Sequence, residues 1–208
     1  SDEAAQELSA ARARLPHPTL GYVGSIRKLE GVDELVRGAA ELVSRGLEVS
    51  LLIVGDGTSL EEIKELVQEL GIEDRTVFTG RVPHDLVHHY YQLIDVFVVS
   101  RPALRVTEIV TPLKPLEAMA LGKALVVSNL PALRELVKEG TGLYYEPGDV
   151  GDLADQCKRL LFDPADRDQL GSRAHRWVVE ERSWSLALSS LEPAYQRAST
   201  IAAVRPGS

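Results

Sequence analysis

The chain has 208 residues, enough for one large domain or two small ones with a substantial buried core. Its 44% hydrophobic and 26% charged residues describe an ordinary globular protein, and a formal net charge of −8 argues against a broad nucleic-acid or anionic-membrane surface. The single cysteine, Cys157, excludes an intramolecular disulfide and favours a cytoplasmic setting; no segment has the length of a transmembrane helix or the pattern of a signal peptide.

From the N-terminus, Asp2 to Leu15 suits a short amphipathic helix or a linker, stopped by Pro16 and Pro18. TLGYVGS (Thr19 to Ser25) predicts a strand, and Val32 to Arg45 has helical periodicity through Leu35, Ala39, Leu42 and Val43, ended by Gly46. VSLLIVGDG (Val49 to Gly57) is an apolar strand running into a tight turn. Ser59 and Glu62 have capping-box spacing for a helix to about Leu70. RTVFTG (Arg75 to Gly80) is a third strand, Pro83 opens a helix through Tyr90 and Tyr91, and IDVFVVS (Ile94 to Ser100) is a fourth strand.

A polar loop follows, then a helix from Leu113 to about Leu121, with Thr111 as its N-cap, Pro112 in the first turn and Gly122 at its end. KALVVS (Lys123 to Ser128) is the fifth strand, Pro131 to Lys138 a helix, and TGLYYE (Thr141 to Glu146) a sixth strand. Asp149 caps a helix to Leu161, and Asp163-Pro164 starts one carrying Trp177. A last helix runs through Leu188, Leu191 and Tyr195. The alternation, with strands apolar on both faces, predicts an α/β fold. It is a doubly wound parallel sheet of about six strands, helices on both faces, with ligands at the C-terminal strand ends. Residues 1–18 read as helix or linker, 19–198 as one domain and 199–208 as a tail. The initial Ser, with Met119 as the only methionine, suggests a piece of a longer protein.

The candidate site is the start of the helix after the fourth strand. Helix N-termini attract anions, Lys114 adds a cation, and Glu117 follows three residues on, on the same side. The plainer alternative makes Lys114 and Glu117 a surface ion pair and Thr111-Pro112 simple capping. Further candidates lie at the other strand ends. Gly24, Ser25, Arg27 and Lys28 form a glycine turn with two cations, equally readable as a solvated loop. Gly55-Asp56-Gly57 has neither P-loop nor GxGxxG spacing and reads as a tight turn. Arg81 can face an anion while Val82 offers an apolar face to a flat base, and Arg101 and Arg105 are phosphate candidates. His84 and His88 stand at i,i+4, but no third ligand accompanies them, which argues against a metal site.

Taken together, YVGSIRKLEGVDELVRGAAEL, LLIVGDG, VFTGRVPHDLVHHYYQLIDVFVVSR, PLKPLEAMALGKALVVS and TGLYYEPGDVGDLA resemble the C-terminal, nucleotide-sugar-binding half of retaining GT-B glycosyltransferases of the family 4 type. The ending SWSLALSSLEPAY is similar to the family's terminal crossover helix. The resemblance implies a Rossmann-like domain, one half of a GT-B fold, that binds a nucleoside-diphosphate sugar. Glu117 would hold the ribose hydroxyls, Leu113, Lys114 and Leu116 would lie along diphosphate and ribose beside Thr111 and Pro112, and Val82 would lie beside the base.

Two departures stand out. The family has two glutamates eight positions apart, as in EGFGLVLLEA; Ile109 occupies the first place here and Glu108 is one residue out of register. The Arg and Lys of the family's GR…KG loop fall on Ser25 and Glu30, leaving Arg27 or Lys28 as substitutes and Lys114 to share the diphosphate charge. Glu108 and Lys114 are the catalytic candidates. The resemblance implies no cofactor and no required metal. It also implies a missing N-terminal domain that reads the acceptor and offers a route to peripheral membrane association. A nucleotide-sugar epimerase of the same fold and a non-catalytic, protein-binding α/β module are the alternatives.

Overall fold

The computed structural model describes residues 2–16 and 18–182. In chain order the elements are α1 (Asp2–Ala13), β1 (Thr19–Val23), α2 (Val32–Ser44), β2 (Ser50–Val54), α3 (Leu60–Glu69), β3 (Thr76–Gly80), α4 (Val87–Gln92) and β4 (Val96–Val99). Then follow α5 (Arg105–Ile109), α6 (Lys114–Ala120), β5 (Ala124–Ser128), α7 (Pro131–Arg134), β6 (Leu143–Tyr145), α8 (Val150–Phe162) and α9 (Pro164–Glu181). The six strands form one parallel sheet in the order β3-β2-β1-β4-β5-β6. The expected doubly wound architecture is therefore present. Its winding reverses between β1 and β4, and the C-terminal ends of those two strands frame the crevice where open α/β sheets bind ligands.

The two apolar faces of each strand explain the layering. Leu51 and Ile53, with Val96 and Val98, face a core completed by α2, α3 and α8. Leu52 and Val54, with Phe97 and Val99, face a second core under α4, α6, α7 and α9. Helix α1 joins the second core through Ala11, and Leu15 follows it into the same cluster. Local signals set the helix starts: the Asp149 and Asp163 carboxylates accept from the N–H groups of Asp152 and Asp166 at the N-termini of α8 and α9. The expected helix through Leu188, Leu191 and Tyr195 lies outside the described residues, as does the tail. Among the described residues, no helix is long and apolar enough to cross a membrane.

Several local expectations are corrected. The Ser59–Glu62 capping box does not form, because the Ser59 N–H is already donated to the Ile26 carbonyl at 3.1 Å and Glu62 turns to Lys28 at 3.5 Å. Helix α6 begins at Lys114 with Leu113 as its N-cap, so Thr111 caps nothing and Pro115, not Pro112, is the first-turn proline. Arg101 is the physical reason. It is 3% exposed and donates to the Val110 carbonyl at 2.7 Å, while Val110 keeps an extended backbone ahead of Thr111. The supposed polar loop contains α5, whose Thr107 hydroxyl accepts from the Leu104 N–H at 3.0 Å. Helix α7 stops at Arg134, short of Lys138.

One buried carboxylate ties the sheet's far edge to α2. Glu34 accepts from the Tyr145 hydroxyl at 3.1 Å and from the Gly148 N–H at 2.5 Å. Burial raises its pKa above the ordinary carboxylate value, more than these two donors lower it. A raised folded-state pKa contributes stability that is complete below the unfolded-state value of about 4.3 and is lost as pH climbs through the folded-state value. Glu34→Gln lacks that titration. Thermal melts of both proteins from pH 4 to pH 8 should therefore show the variant gaining on wild type as pH rises. A pH-independent difference would contradict this.

Candidate functional site

The turns after β1, β2 and β3 are laced together by backbone bonds. The Gly24 N–H donates to Val54 O, Gly55 N–H to Gly80 O and Ile26 N–H to Asp56 O, each at 2.9 Å. Between them lies a groove of about 390 Å³ lined by Gly24, Ser25, Gly55, Asp56, Arg81 and Val82, among others. The structure thus brings together four of the expected site residues, Gly24, Ser25, Arg81 and Val82, from two strand ends.

Lys114 reaches this region from across the β1/β4 switch point. Gly24 has φ +145°, and a Cβ there would meet the Lys114 Cε at 2.1 Å, so the glycine makes room for the lysine stem. The ammonium lies 3.0 Å from Glu30 Oε2, with the two side chains 19% and 9% exposed. It also sits 5.7 Å from the centre of the Tyr22 ring, within cation–π range. Tyr22 donates its hydroxyl to the Ser25 carbonyl at 2.8 Å. Burial, and then the Glu30 carboxylate, raise the pKa of this phenol, which keeps it a donor. Lys114 therefore pairs with Glu30 and not with Glu117, its neighbour on the helix.

Glu117 stands exposed one turn further along α6, in contact with the Tyr91 hydroxyl at 3.4 Å. Tyr91 is buried against Phe97, ring centroids 5.2 Å apart. Burial and the nearby Glu117 carboxylate raise its pKa, so it too remains protonated. The result is an outward carboxylate steadied from below, beside an ammonium on a glycine turn. Such a pair can take an anion on one side and hydroxyls on the other.

The remaining expected residues are placed differently. Arg27 and Lys28 are exposed and line a separate depression of about 450 Å³ against α3. Arg101, expected to face phosphate, is buried, with its guanidinium on Val110. Thr111 is exposed, Pro112 buried, Leu113 69% exposed, and Leu116 packs partly into the core below α6. Arg105 and Glu108 sit exposed on α5, next to Ile109. Leu104, Val106, Ile109, Val110 and Leu113 make this edge markedly apolar.

Comparison with known proteins now bears on the site. The family model of the glycosyl transferases group 1 matches residues 6–177. The chain belongs to that family. It is 29% identical over 180 residues to an alpha-D-kanosaminyltransferase of Streptomyces kanamyceticus, covering 86% of this chain and 45% of that one. Among solved structures, a sucrose-phosphate synthase from Thermosynechococcus elongatus superposes with a TM-score of 0.76 at 29% identity, over 93% of this chain and 49% of that chain. An Anabaena protein, HepE, solved with UDP-glucose, shares the fold with a TM-score of 0.78 at 19% identity, over 92% of this chain and 53% of that one. The chain thus spans about half the length of these relatives. It is a group 1 glycosyl transferase domain with the Rossmann-like sheet of GT-B enzymes.

Within this family member, sequence spacing could not single out Tyr91 or Tyr22 as partners of site residues. Tyr22 lies within the apolar strand β1 and Tyr91 on the short helix α4, and the contacts that matter are made only once distant segments pack together. Glu30 was visible as a departure from the family's loop pattern, but its pairing with Lys114 was not.

Proposed function

We propose that this chain is the donor-binding half of a retaining glycosyltransferase, moving a sugar from a nucleoside-diphosphate sugar to an acceptor. Residues 19–198 form the donor domain, a cytoplasmic one, and a companion N-terminal domain reads the acceptor and carries any membrane contact. The observation that carries this reading is the convergence at the switch point: Lys114 crosses to the Gly24 turn while Glu117 stands one helical turn away, steadied by Tyr91.

In this account the Lys114 ammonium and the backbone around Gly24 and Ser25 meet the diphosphate. Their charge and donors stabilise the negative charge that grows on the leaving phosphate as its bond to the anomeric carbon breaks. Glu117 takes the ribose hydroxyls, Val82 lies beside the base, Arg81 faces an anionic group, and Leu113 to Leu116 run along the diphosphate and ribose. Arg27 and Lys28 add cationic field from the neighbouring turn. Glu108, exposed on α5, is the carboxylate available to the donor sugar where the family places its glutamate at position 109. Membership of a glycosyl transferase family favours neither an epimerase nor a protein-binding module.

A thermal-shift series with UDP and GDP tests the reading. A ligand that binds only the folded chain raises Tm at saturation. An unmoved Tm with every nucleoside diphosphate would contradict it. The chain alone should also fail to transfer sugar to added acceptors. Holding two reactants at near-attack distance is worth about 7–11 kcal/mol, and the acceptor-reading domain supplies half of that geometry. Turnover of a labelled nucleotide sugar onto an acceptor extract by the 208-residue chain alone would overturn the half-enzyme part of the reading.

A further inference from the structure

We infer that Glu30 is the positioning residue for Lys114, an inference that rests on the proposed donor site and deepens it. Three restraints hold the lysine: its stem crosses the bare Cα of Gly24, its ammonium lies over the Tyr22 ring, and Glu30 takes that ammonium at 3.0 Å. Glu30 itself is a fixed anchor. Its N–H donates to the Arg27 carbonyl at 2.9 Å, and the next residue, Gly31, has φ +65° and lies against the end of β4. There the Ser100 hydroxyl donates to the Gly31 carbonyl at 2.6 Å, and a Cβ on residue 31 would meet the Ser100 carbonyl oxygen at 1.7 Å. The backbone that carries the carboxylate is thereby fixed, and its side chain, 9% exposed, has little room beside it.

The consequence is chemical. A free lysine head carries much rotamer entropy, which a ligand must remove on binding. Glu30 removes it in advance. The contact is an ion pair at 3.0 Å that occupies one side of the ammonium. An ammonium has three N–H groups, so those turned away from Glu30 remain for phosphate oxygens at a set position. A carboxylate this close also lowers the local positive potential, so two effects oppose each other. Pre-organisation predicts that removing the carboxylate weakens diphosphate binding; charge competition predicts that it strengthens it.

The geometry favours pre-organisation, because the Glu30 side chain is buried, 9% exposed, while Lys114 is the more exposed of the pair at 19%. The test is a double-mutant cycle by calorimetry on the full chain, with UDP and GDP as diphosphate probes and the matching nucleosides as controls. Glu30→Gln, close to isosteric, should weaken the diphosphate by on the order of tenfold, the scale of one hydrogen bond to a charged group, and leave the nucleoside unchanged. In a Lys114→Met background the same substitution should cost nothing further, because Glu30 acts through the lysine.

Equal or tighter diphosphate binding by Glu30→Gln overturns the inference. So does an equal loss of nucleoside, which a merely structural role predicts, and so does additivity in the Lys114→Met background. If wild type binds neither probe, the donor-site reading falls and this inference with it. If wild type binds and the cycle is flat, the inference alone falls.

Discussion

Lys114→Ala should lower affinity for a nucleoside diphosphate by more than about tenfold while leaving the free nucleoside nearly untouched, since a hydrogen bond to a charged group contributes about 1.5–3 kcal/mol. The asymmetry follows from where the ammonium is held. It lies against the Gly24 turn and over Tyr22, at the point where the β1 and β4 ends part. On the proposed reading a cation there meets the negatively charged linker of the ligand and nothing of the base. The substitution also strips Glu30 of its partner. A buried carboxylate left unpaired is costly, so the variant should melt lower than wild type even without ligand. Calorimetric titration with UDP, GDP and their nucleosides measures the first effect, and a ligand-free melt measures the second. Equal losses for nucleotide and nucleoside would remove Lys114 from the diphosphate.

Glu117→Gln should produce the complementary pattern. A carboxylate accepts from two vicinal hydroxyls at once, whereas an amide offers one acceptor and turns a donor toward the other hydroxyl. The expected loss for a ribonucleoside diphosphate is about tenfold, on the scale of one charge-assisted hydrogen bond. A 2′,3′-dideoxy analogue should bind wild type and variant alike. Because Tyr91 meets the same carboxylate from the core side, Tyr91→Phe should weaken the ribose contact in the same direction, by less, as befits a contact of 3.4 Å. Loss of the dideoxy analogue in parallel with the ribonucleotide would show that Glu117 serves the helix and not the sugar.

Much of the fold was legible because the local signals agreed with one another. LLIV and VFVV are unbroken apolar runs, which suits a strand covered on both faces, and Asp149 and Asp163 cap their helices as their positions suggest. Signals failed where two options were locally equivalent. TPLKP contains two prolines three apart, either able to occupy a first helical turn, and only the Arg101 bond to Val110 decides between them. Helix α5 was hidden because five residues rich in β-branched side chains carry little helical periodicity.

The site was half legible for a similar reason. Lys114 and Glu117 stand three apart on one helix, and periodicity makes them look like partners. Each instead takes a partner from a distant segment, Glu30 in the turn after β1 and Tyr91 on α4 before β4. Ion pairs between distant segments depend on strand order, and the sheet order β3-β2-β1-β4-β5-β6 brings the end of β1 beside the end of β4. Arg101 illustrates the converse. An arginine directly after a strand is a natural phosphate candidate, yet here it is buried, with its guanidinium bonded to the backbone that shapes the α5–α6 connection.

The most direct measurement is a crystal structure of the chain soaked with UDP or GDP. The account predicts diphosphate oxygens within hydrogen-bond distance of the Lys114 ammonium at the Gly24 turn, ribose hydroxyls on the Glu117 carboxylate, and the base beside Val82. A nucleotide bound elsewhere, for instance in the Arg27–Lys28 depression against α3, with Lys114 still closed on Glu30 and untouched, would contradict it.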